Sequence, residues 1–455
     1  MTALDYLLFT LAVLGFVLGI LISIGLHELG HMIPAKAFGG KVTQYFIGFG
    51  PTVWSKRVGE TEYGLKAIPL GGYVKIVGML PPGADQLGER TVDGALKIRK
   101  SNTGMFTQLI SDARSAEWEL IRSEDEPRLF YKMPWWKKVV VMAGGPSVNI
   151  LIAFFVTWGV AGTYGVHEPV VDQGHPVVSS LQECLLSWED QGRECTKSDK
   201  PTPAADAGLK PGDELISFNG TELTSWGVAQ KLIRDNMDGD ATLVIQRGGE
   251  QMTLHTKTVV QERVKDVDDT SADPETAKVG FFGMSPKSHI EVTKEGPVYV
   301  VKELAAQTYN AVHAIVRLPV KVWHVALAIV GVEERDPNGP VSIVGGGRIA
   351  GEIAVNDNFD ITEKVVMFAG LLAGFNLFIG IFNFVPLLPL DGGHIATALW
   401  EGIRRAFAKA FRRPEPGHAD PAKLLPVAYV VASALLVMGV VLIVADLVVP
   451  LHLQA

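Results

Sequence analysis

Tyr6–His31 reads YLLFTLAVLGFVLGILISIGLHELGH, an apolar run that carries no Asp, Glu, Lys or Arg until it closes on His27-Glu28-Leu29-Gly30-His31. Two imidazoles four residues apart stand about 40° apart around a helix and one turn along it. Both can reach one Zn2+ ion, and the glutamate between them is placed as a general base on a water held by that ion. Tyr6–Leu26 is long enough to cross a bilayer, so the motif is expected inside or just beneath a membrane. Access of water then becomes part of the chemistry.

The composition fits that placement. The chain has 455 residues, 47% of them hydrophobic and 20% charged, with a mean hydropathy of +0.22. That is too apolar for an ordinary soluble enzyme and too charged to be all membrane, which implies a membrane core with a soluble domain attached. A net charge of −8 gives no support to a nucleic-acid partner, which would be met by a basic patch.

Four uncharged runs qualify as spans: Tyr6–Leu26, Val139–Val166, Val365–Leu390 and Leu424–Ala445. None ends in a small-residue cleavage site, so the first is read as a retained helix. Lys36 and Lys41 follow the first span, Lys132, Lys137 and Lys138 precede the second, and six basic residues from Arg404 to Lys423 lie between the third and fourth. The basic loops belong in the cytoplasm, which leaves both termini and residues 167–360 outside. Leu318–Val332 is a weaker candidate, because Lys321 interrupts it and a fifth crossing would turn the basic 391–423 loop outward. It is read as an amphipathic helix on the outer surface.

The second constellation is Asn383-Phe384-Val385-Pro386-Leu387-Leu388-Pro389-Leu390-Asp391-Gly392-Gly393-His394. A carboxylate at the end of a membrane helix is costly without a partner. The prolines prevent a regular helix and Gly392-Gly393 permits a sharp turn, so Asp391 can point back into the bundle at the depth of His27 and His31. Two histidines and one aspartate would leave a fourth zinc position for water. A capping Asp in a Pro/Gly loop is the plainer reading, and HELGH at matching depth outweighs it.

This pairing of HELGH in a first membrane helix with N-x-x-P…LDGG in a later one resembles the site-2 proteases, zinc-dependent intramembrane metalloproteases, and in particular the bacterial members related to the regulator of sigma-E protease, of actinobacterial type. Ala143-Gly144-Gly145-Pro146-Ser147-Val148-Asn149 looks like the family's G-P-x-x-N element, and Gly339-Pro340-Val341-Ser342-Ile343 resembles the segment before its third core helix. The second proline stands at 389, one place later than in the commoner pattern, which bears on the local turn only. The resemblance implies one zinc ion on His27, His31 and Asp391, Glu28 as the catalytic base, and Asn383 in contact with substrate. His394 would support the site rather than bind the metal, since a fourth protein ligand would close it.

Residues 203–220, PAADAGLKPGDELISFNG, resemble a PDZ domain of the bacterial protease type. Gly208 and Gly212 mark turns, Leu215–Phe218 a strand, Asn219-Gly220 a hairpin turn and Ser225–Asn236 a helix, followed by a hairpin around Gly248-Gly249. Such a domain could bind a peptide by strand addition or exclude large substrates by bulk. Cys184 and Cys195, the chain's two cysteines, are expected to pair in an oxidising compartment.

Between the first two spans, Gly48-Phe49-Gly50-Pro51 and the extended run Glu62–Val77 look like a β-hairpin, similar to the family's membrane-associated β-region. A helical substrate must unwind before its carbonyl can meet a metal. An edge strand beside the metal could hold the unwound segment, with Tyr63 and Leu65 or Tyr73 and Val74 providing that edge. Residues 83–128 read as a mobile polar insertion. Gly402–Arg413 reads as a basic amphipathic segment on the inner leaflet.

The expected fold is therefore a membrane α-helical bundle of four transmembrane helices with a membrane-associated β-hairpin region and one extracytoplasmic α+β PDZ-like domain. Its parts are 1–37 (first helix), 38–138 (β-region with the insertion at 83–128), 139–166 (second helix), 167–295 (PDZ-like domain), 296–360 (amphipathic surface helices), 361–394 (third helix), 395–423 (basic cytoplasmic loop) and 424–448 (fourth helix). The resemblance implies a multi-pass protein of the plasma (cytoplasmic) membrane whose zinc site lies toward the cytoplasm. It also implies cleavage of single-pass membrane proteins, such as pre-trimmed anti-sigma factors or remnant signal peptides, after a first cut in their ectodomain. A zinc-binding scaffold or chaperone working through the PDZ-like domain would need a closed metal shell and no role for Glu28. A zinc transporter would need polar groups across the whole bilayer, whereas here they gather at one depth.

Overall fold

Helix α1 (Ala3–Ala37) starts at Thr2, whose hydroxyl accepts the Asp5 N–H while the Asp5 carboxylate accepts the Thr2 N–H. That reciprocal cap occupies N–H groups that a helix start leaves free. The structure is a computed structural model; it describes residues 2–82, 87–90, 96–98, 105–118, 121–172, 174–186, 195–196, 198–265 and 275–452.

After α1, strands β1 (Val42–Val58) and β2 (Thr61–Ile76) pair antiparallel in an unusual way. The 42–47 stretch of β1 has a partner on each side. Tyr45, Phe46 and Ile47 face Tyr63, Gly64 and Leu65 on one side and Val74, Tyr73 and Gly72 on the other. The 52–58 stretch of β1 pairs with 61–66 from beyond, through Trp54 with Leu65 and Lys56 with Tyr63. Gly48 and Gly71, with φ of 89° and 92°, sit where the chain bends to allow this wrapping, at angles that suit glycine alone. The tip of the hairpin exposes Phe49, Val53, Trp54 and Ile68.

Composition suggests a mobile insertion over 83–128, yet its described part contains helix α2 (Met105–Trp118), with Trp118 packed among Val77, Ile121 and Leu129. Arg114 of α2 forms an ion pair with Asp420. A few apolar and charged anchors at helical spacing hold this segment despite its polar average. Residues 83–86, 91–95, 99–104 and 119–120 lie outside the described residues.

Helix α3 (Trp135–Thr163) begins ahead of the uncharged run because Lys138 is buried in an ion pair with Glu401 at 2.8 Å. The chain then forms a second compact unit, Tyr164–Glu295. Its four-stranded sheet is built from Glu250–Lys257, Asp240–Arg247, Glu214–Phe218 and Thr221–Glu222, in that order. Helices α4 (Pro203–Asp206) and α5 (Trp226–Asp235) contribute Ala204, Ala229 and Ile233 to a core with Leu215, Phe218, Leu243 and Ile245. Asn219 and Gly220 turn the short hairpin with φ of 48° and 82°. The Sγ atoms of Cys184 and Cys195 are bonded.

The helical unit resumes with α6 (Pro297–Ile329), α7 (Ile343–Val355) and α8 (Ile361–Asn383), followed by α9 (Asp391–Ala410) and α10 (Leu425–Val448). The run expected to continue to Leu390 stops at Asn383, and the 361–394 segment is thus divided between α8 and the first turn of α9. Among the described residues, five helical stretches are long and apolar enough to cross a membrane, by length and composition: α1, α3, α6, α8 and the 421–448 stretch. Helix α6 is the one beyond the four expected, because it runs unbroken through Pro319 and gathers apolar residues from both sides of it.

Contacts within this unit fix which helix ends lie together. Phe16 of α1 meets Phe368 of α8, and Gly380 of α8 would strike the Pro146 carbonyl of α3 if it carried a Cβ. Asp446, near the end of α10, accepts the Ser342 and Gly345 N–H groups at 2.7 and 3.2 Å and binds Arg335 at 2.8 Å. The start of α7 thereby joins the end of α10, while Gly346 packs on Phe16.

Candidate metal centre

The HELGH helix reaches its partners because two backbones come unusually close. A Cβ added to Gly144 would lie 1.9 Å from the Gly30 carbonyl oxygen, and one on Gly30 would lie 2.5 Å from that of Gly144. At Gly145 an added Cβ would meet His31 Nε2 at 2.3 Å and His27 Nε2 at 2.7 Å. Helices approach this closely only where side chains are missing. The Gly144-Gly145 pair, legible in the sequence only as part of a family element, is thus the floor under both histidines.

Asp391 comes from the first turn of α9. Gly392 and Gly393 do not form a sharp turn; they are helical and give room. Their added Cβ atoms would lie 2.2 Å from the Val385 carbonyl oxygen and 2.5 Å from the Leu388 nitrogen. The 384–388 loop therefore folds flat against the start of α9 and aims the Asp391 carboxylate at α1. A carboxylate at a helix start also meets the positive end of the helix dipole.

The resulting triangle is nearly equilateral. His27 Nε2 lies 3.2 Å from His31 Nε2, and Asp391 Oδ2 lies 3.3 Å from each. Ligands about 2.0–2.1 Å from a tetrahedral zinc stand about 3.3–3.4 Å apart, so the spacing fits one ion without rearrangement. His31 Nδ1–H donates to the Val141 carbonyl at 2.8 Å. That fixes the ring so that Nε2 presents its lone pair to the triangle. His27 Nδ1 is buried without a partner. Among the described residues these three form the one group with metal-binding spacing.

The triangle opens into a cavity of 470 Å³ lined also by Glu28, Gly72, Tyr73, Val74, Asn149 and Asn383. His394 lines it too but stands outside the triangle. An added Cβ on Gly72 would lie 3.1 Å from Glu28 Cγ, and the Val74 backbone N–H faces the Glu28 carboxylate. The side of strand 72–76 away from β1 is therefore turned toward Glu28.

Of the substrate-contact residues expected from sequence, Tyr73, Val74 and Asn383 reach the cavity and Tyr63 and Leu65 do not. Tyr63 accepts a hydrogen bond from Lys36 and packs on Tyr45, and Leu65 lies between Ile47 and Trp54 in the sheet. Residues 62–65 have both strand edges filled and cannot accept a further strand. Asn149 closes the G-P-x-x-N element in α3. It is 1% exposed, lines the cavity, and its Oδ1 has no partner. An amide inside an apolar run was the signal that could have found it.

A family model described as peptidase family M50 matches residues 15–413. The chain is 33% identical over 459 residues to the zinc metalloprotease Rip1 of Mycolicibacterium smegmatis, covering 98% of this chain and 100% of that one. It is 32% identical over 460 residues to Rip1 of Mycobacterium tuberculosis, covering 98% and 100%.

Proposed function

The chain belongs to peptidase family M50 and is a zinc-dependent metalloprotease of the membrane, and on that premise we propose that it cuts single-pass membrane proteins within or beside the bilayer, after a first protease has shortened their ectodomain. One observation carries the reading. A three-ligand triangle with an open side shares a cavity with Glu28 and with a strand edge turned toward it. A structural zinc would be enclosed by four ligands.

In this reading His27 Nε2, His31 Nε2 and Asp391 Oδ2 hold the ion. Zinc, when bound, supplies a Lewis acid that lowers the pKa of water and polarises a carbonyl. The Glu28 carboxylate takes the proton of the attacking water and returns it to the leaving amine. An intact helix keeps its carbonyls in internal hydrogen bonds, so the substrate must unwind. Strand 72–76 receives the unwound stretch by main-chain pairing at the outward groups of Val74 and its alternate neighbours Gly72 and Ile76, with the Tyr73 side chain lining the cavity, while the Asn149 and Asn383 amides occupy polar groups left open by the lost helix.

The proposed topology has four crossings, with both termini and residues 164–295 outside and the metal toward the cytoplasm. Two observations support a surface position for α6. Thr293, just before it, pairs with Val166, just after α3, and Arg335, just after it, binds Asp446 at the end of α10. Both ends of α6 are thereby tied to the same end of the bundle. The disulfide of Cys184 and Cys195 fits an oxidising exterior for that unit. Its turns, sheet and α5 support the PDZ-like reading.

The test is cleavage-site mapping on a single-pass substrate with a trimmed ectodomain, in detergent-reconstituted enzyme. A cut within or beside the membrane segment is expected. Cuts confined to the soluble ectodomain would overturn the proposal.

A further inference from the structure

The strand that borders the metal cavity does not end there. A second cleft, of 730 Å³, shares Tyr73, Val74, Ile76 and Met79 with the first. Four cations, Lys41, Arg57, Lys75 and Arg122, line it beside two carboxylates, Glu60 and Glu117. Both carboxylates are occupied. Arg128 holds both oxygens of Glu60 at 2.7 Å. Glu117 accepts the Met79 and Leu80 N–H groups at 2.5 and 3.1 Å, and burial pushes its carboxyl up to about 7.

The cations are less well satisfied. Lys41 binds Asp125 at 2.6 Å, and Arg122 lies 3.8 Å from the exposed Glu124. Among the described residues, Arg57 and Lys75 have no carboxylate at ion-pair distance. Among the described residues the lining thus carries more positive than negative groups, with Glu62 opposite Arg57 in the sheet and Glu117 near Lys75, along a strand that continues past Glu28.

We propose that this cleft is a specificity subsite that binds an extended, acidic flank of the substrate, on the cytoplasmic side of the scissile bond. The inference rests on the protease reading above and adds the chemistry of the substrate. A strand rises about 3.3 Å per residue, so a guest paired along Val74–Val77 carries residues about two to five positions from the cut past Lys75, at the near side of the cleft that Arg57 lines farther across the sheet. Selection works in both directions. Cytoplasmic flanks of membrane segments are rich in Lys and Arg as a rule. A basic cleft repels that majority and admits the minority with Asp or Glu, which protects most membrane proteins from a site that reads main chain.

The experiment measures binding apart from turnover. Glu28→Ala enzyme in neutral detergent is titrated with single-pass substrates whose cytoplasmic flanks carry three Asp, three Ser or three Lys, with affinity read by fluorescence anisotropy. Wild-type cleavage of the same set is followed in parallel. The Asp flank is expected to bind about tenfold tighter than the Lys flank, from two partly screened pairs. The gap should narrow as salt rises. Lys75→Glu with Arg57→Glu should reverse the order, and exposed Arg57→Glu alone should shrink it if the double variant fails to fold. Equal affinity for all three flanks would overturn the subsite. So would a preference that arises in anionic nanodiscs alone and follows lipid charge, which would give the cleft to headgroups. Flank-dependent binding without wild-type cleavage of any substrate would keep the subsite and count against the protease reading.

Discussion

Two regions meet at Glu28 and are built on opposite terms. On one side α1 crosses α3 and α9 lies against the 384–388 loop, with no room for a methyl group at Gly30, Gly144, Gly145 or Gly392. On the other, strand 72–76 has one edge paired to β1 and the other open to a cavity. The contrast separates two requirements of a peptidase in a membrane. Metal ligands must be held within tenths of an ångström, which packed backbone achieves. A substrate that loses its helix needs unpaired main chain, which packing would remove.

The largest effect is expected on the packed side. Gly145→Ala places a methyl carbon 2.3 Å from His31 Nε2, so the ring must leave the triangle. Zinc affinity, measured by competition with a chromophoric chelator, should fall at least about a hundredfold, and cleavage with it. Retained zinc and activity would show that the crossing can open, and the contrast would fail.

On the open side, proline should separate function from fold. Val74→Pro removes the N–H that faces Glu28 and should lower kcat/KM about tenfold, with zinc content unchanged. Leu65→Pro lies between two paired strands and should instead lower the melting temperature of the enzyme. Equal effects on activity at the two positions would erase the difference between the halves of β2.

The smallest effect concerns the rim of the open side. Burial raises the Glu117 carboxyl from its usual 4.5 to about 7. The folded protein therefore holds this proton more tightly than the unfolded chain. The stability it contributes is full below about pH 4.5 and is lost as pH rises through about 7. Amide exchange at Met79 and Leu80 should speed over that window in wild type, beyond the intrinsic rise, and less in Glu117→Gln. Identical profiles would remove Glu117 from the rim.

Much of the packed region could be read from the chain. HELGH carries its own helical geometry, and Asp391 was placed by the cost of a lone carboxylate at membrane depth. The role of Gly145 could not be read in that way, because the distance between two helices is set by tertiary contact and not by either sequence. The open region was legible only as a choice. Tyr63–Ala67 and Tyr73–Ile76 both read as short extended stretches, and which edge stays free depends on the return of 52–58 onto 61–66. Helix α6 was read as shorter because Lys321 breaks its apolar run, while the helix itself continues through that point. Helix α2 was hidden by polar composition, since its anchors, Glu117, Trp118 and Arg114, find partners far along the chain.

The central claim is that Glu28 moves the proton at a zinc site held by residues other than itself. Single-turnover cleavage of a single-pass substrate by zinc-loaded Glu28→Ala enzyme tests it most directly, with zinc content measured on the same sample. Zinc should remain at the wild-type level while the cleavage rate falls by at least about a hundredfold. Cleavage at the wild-type rate with zinc in place would contradict it.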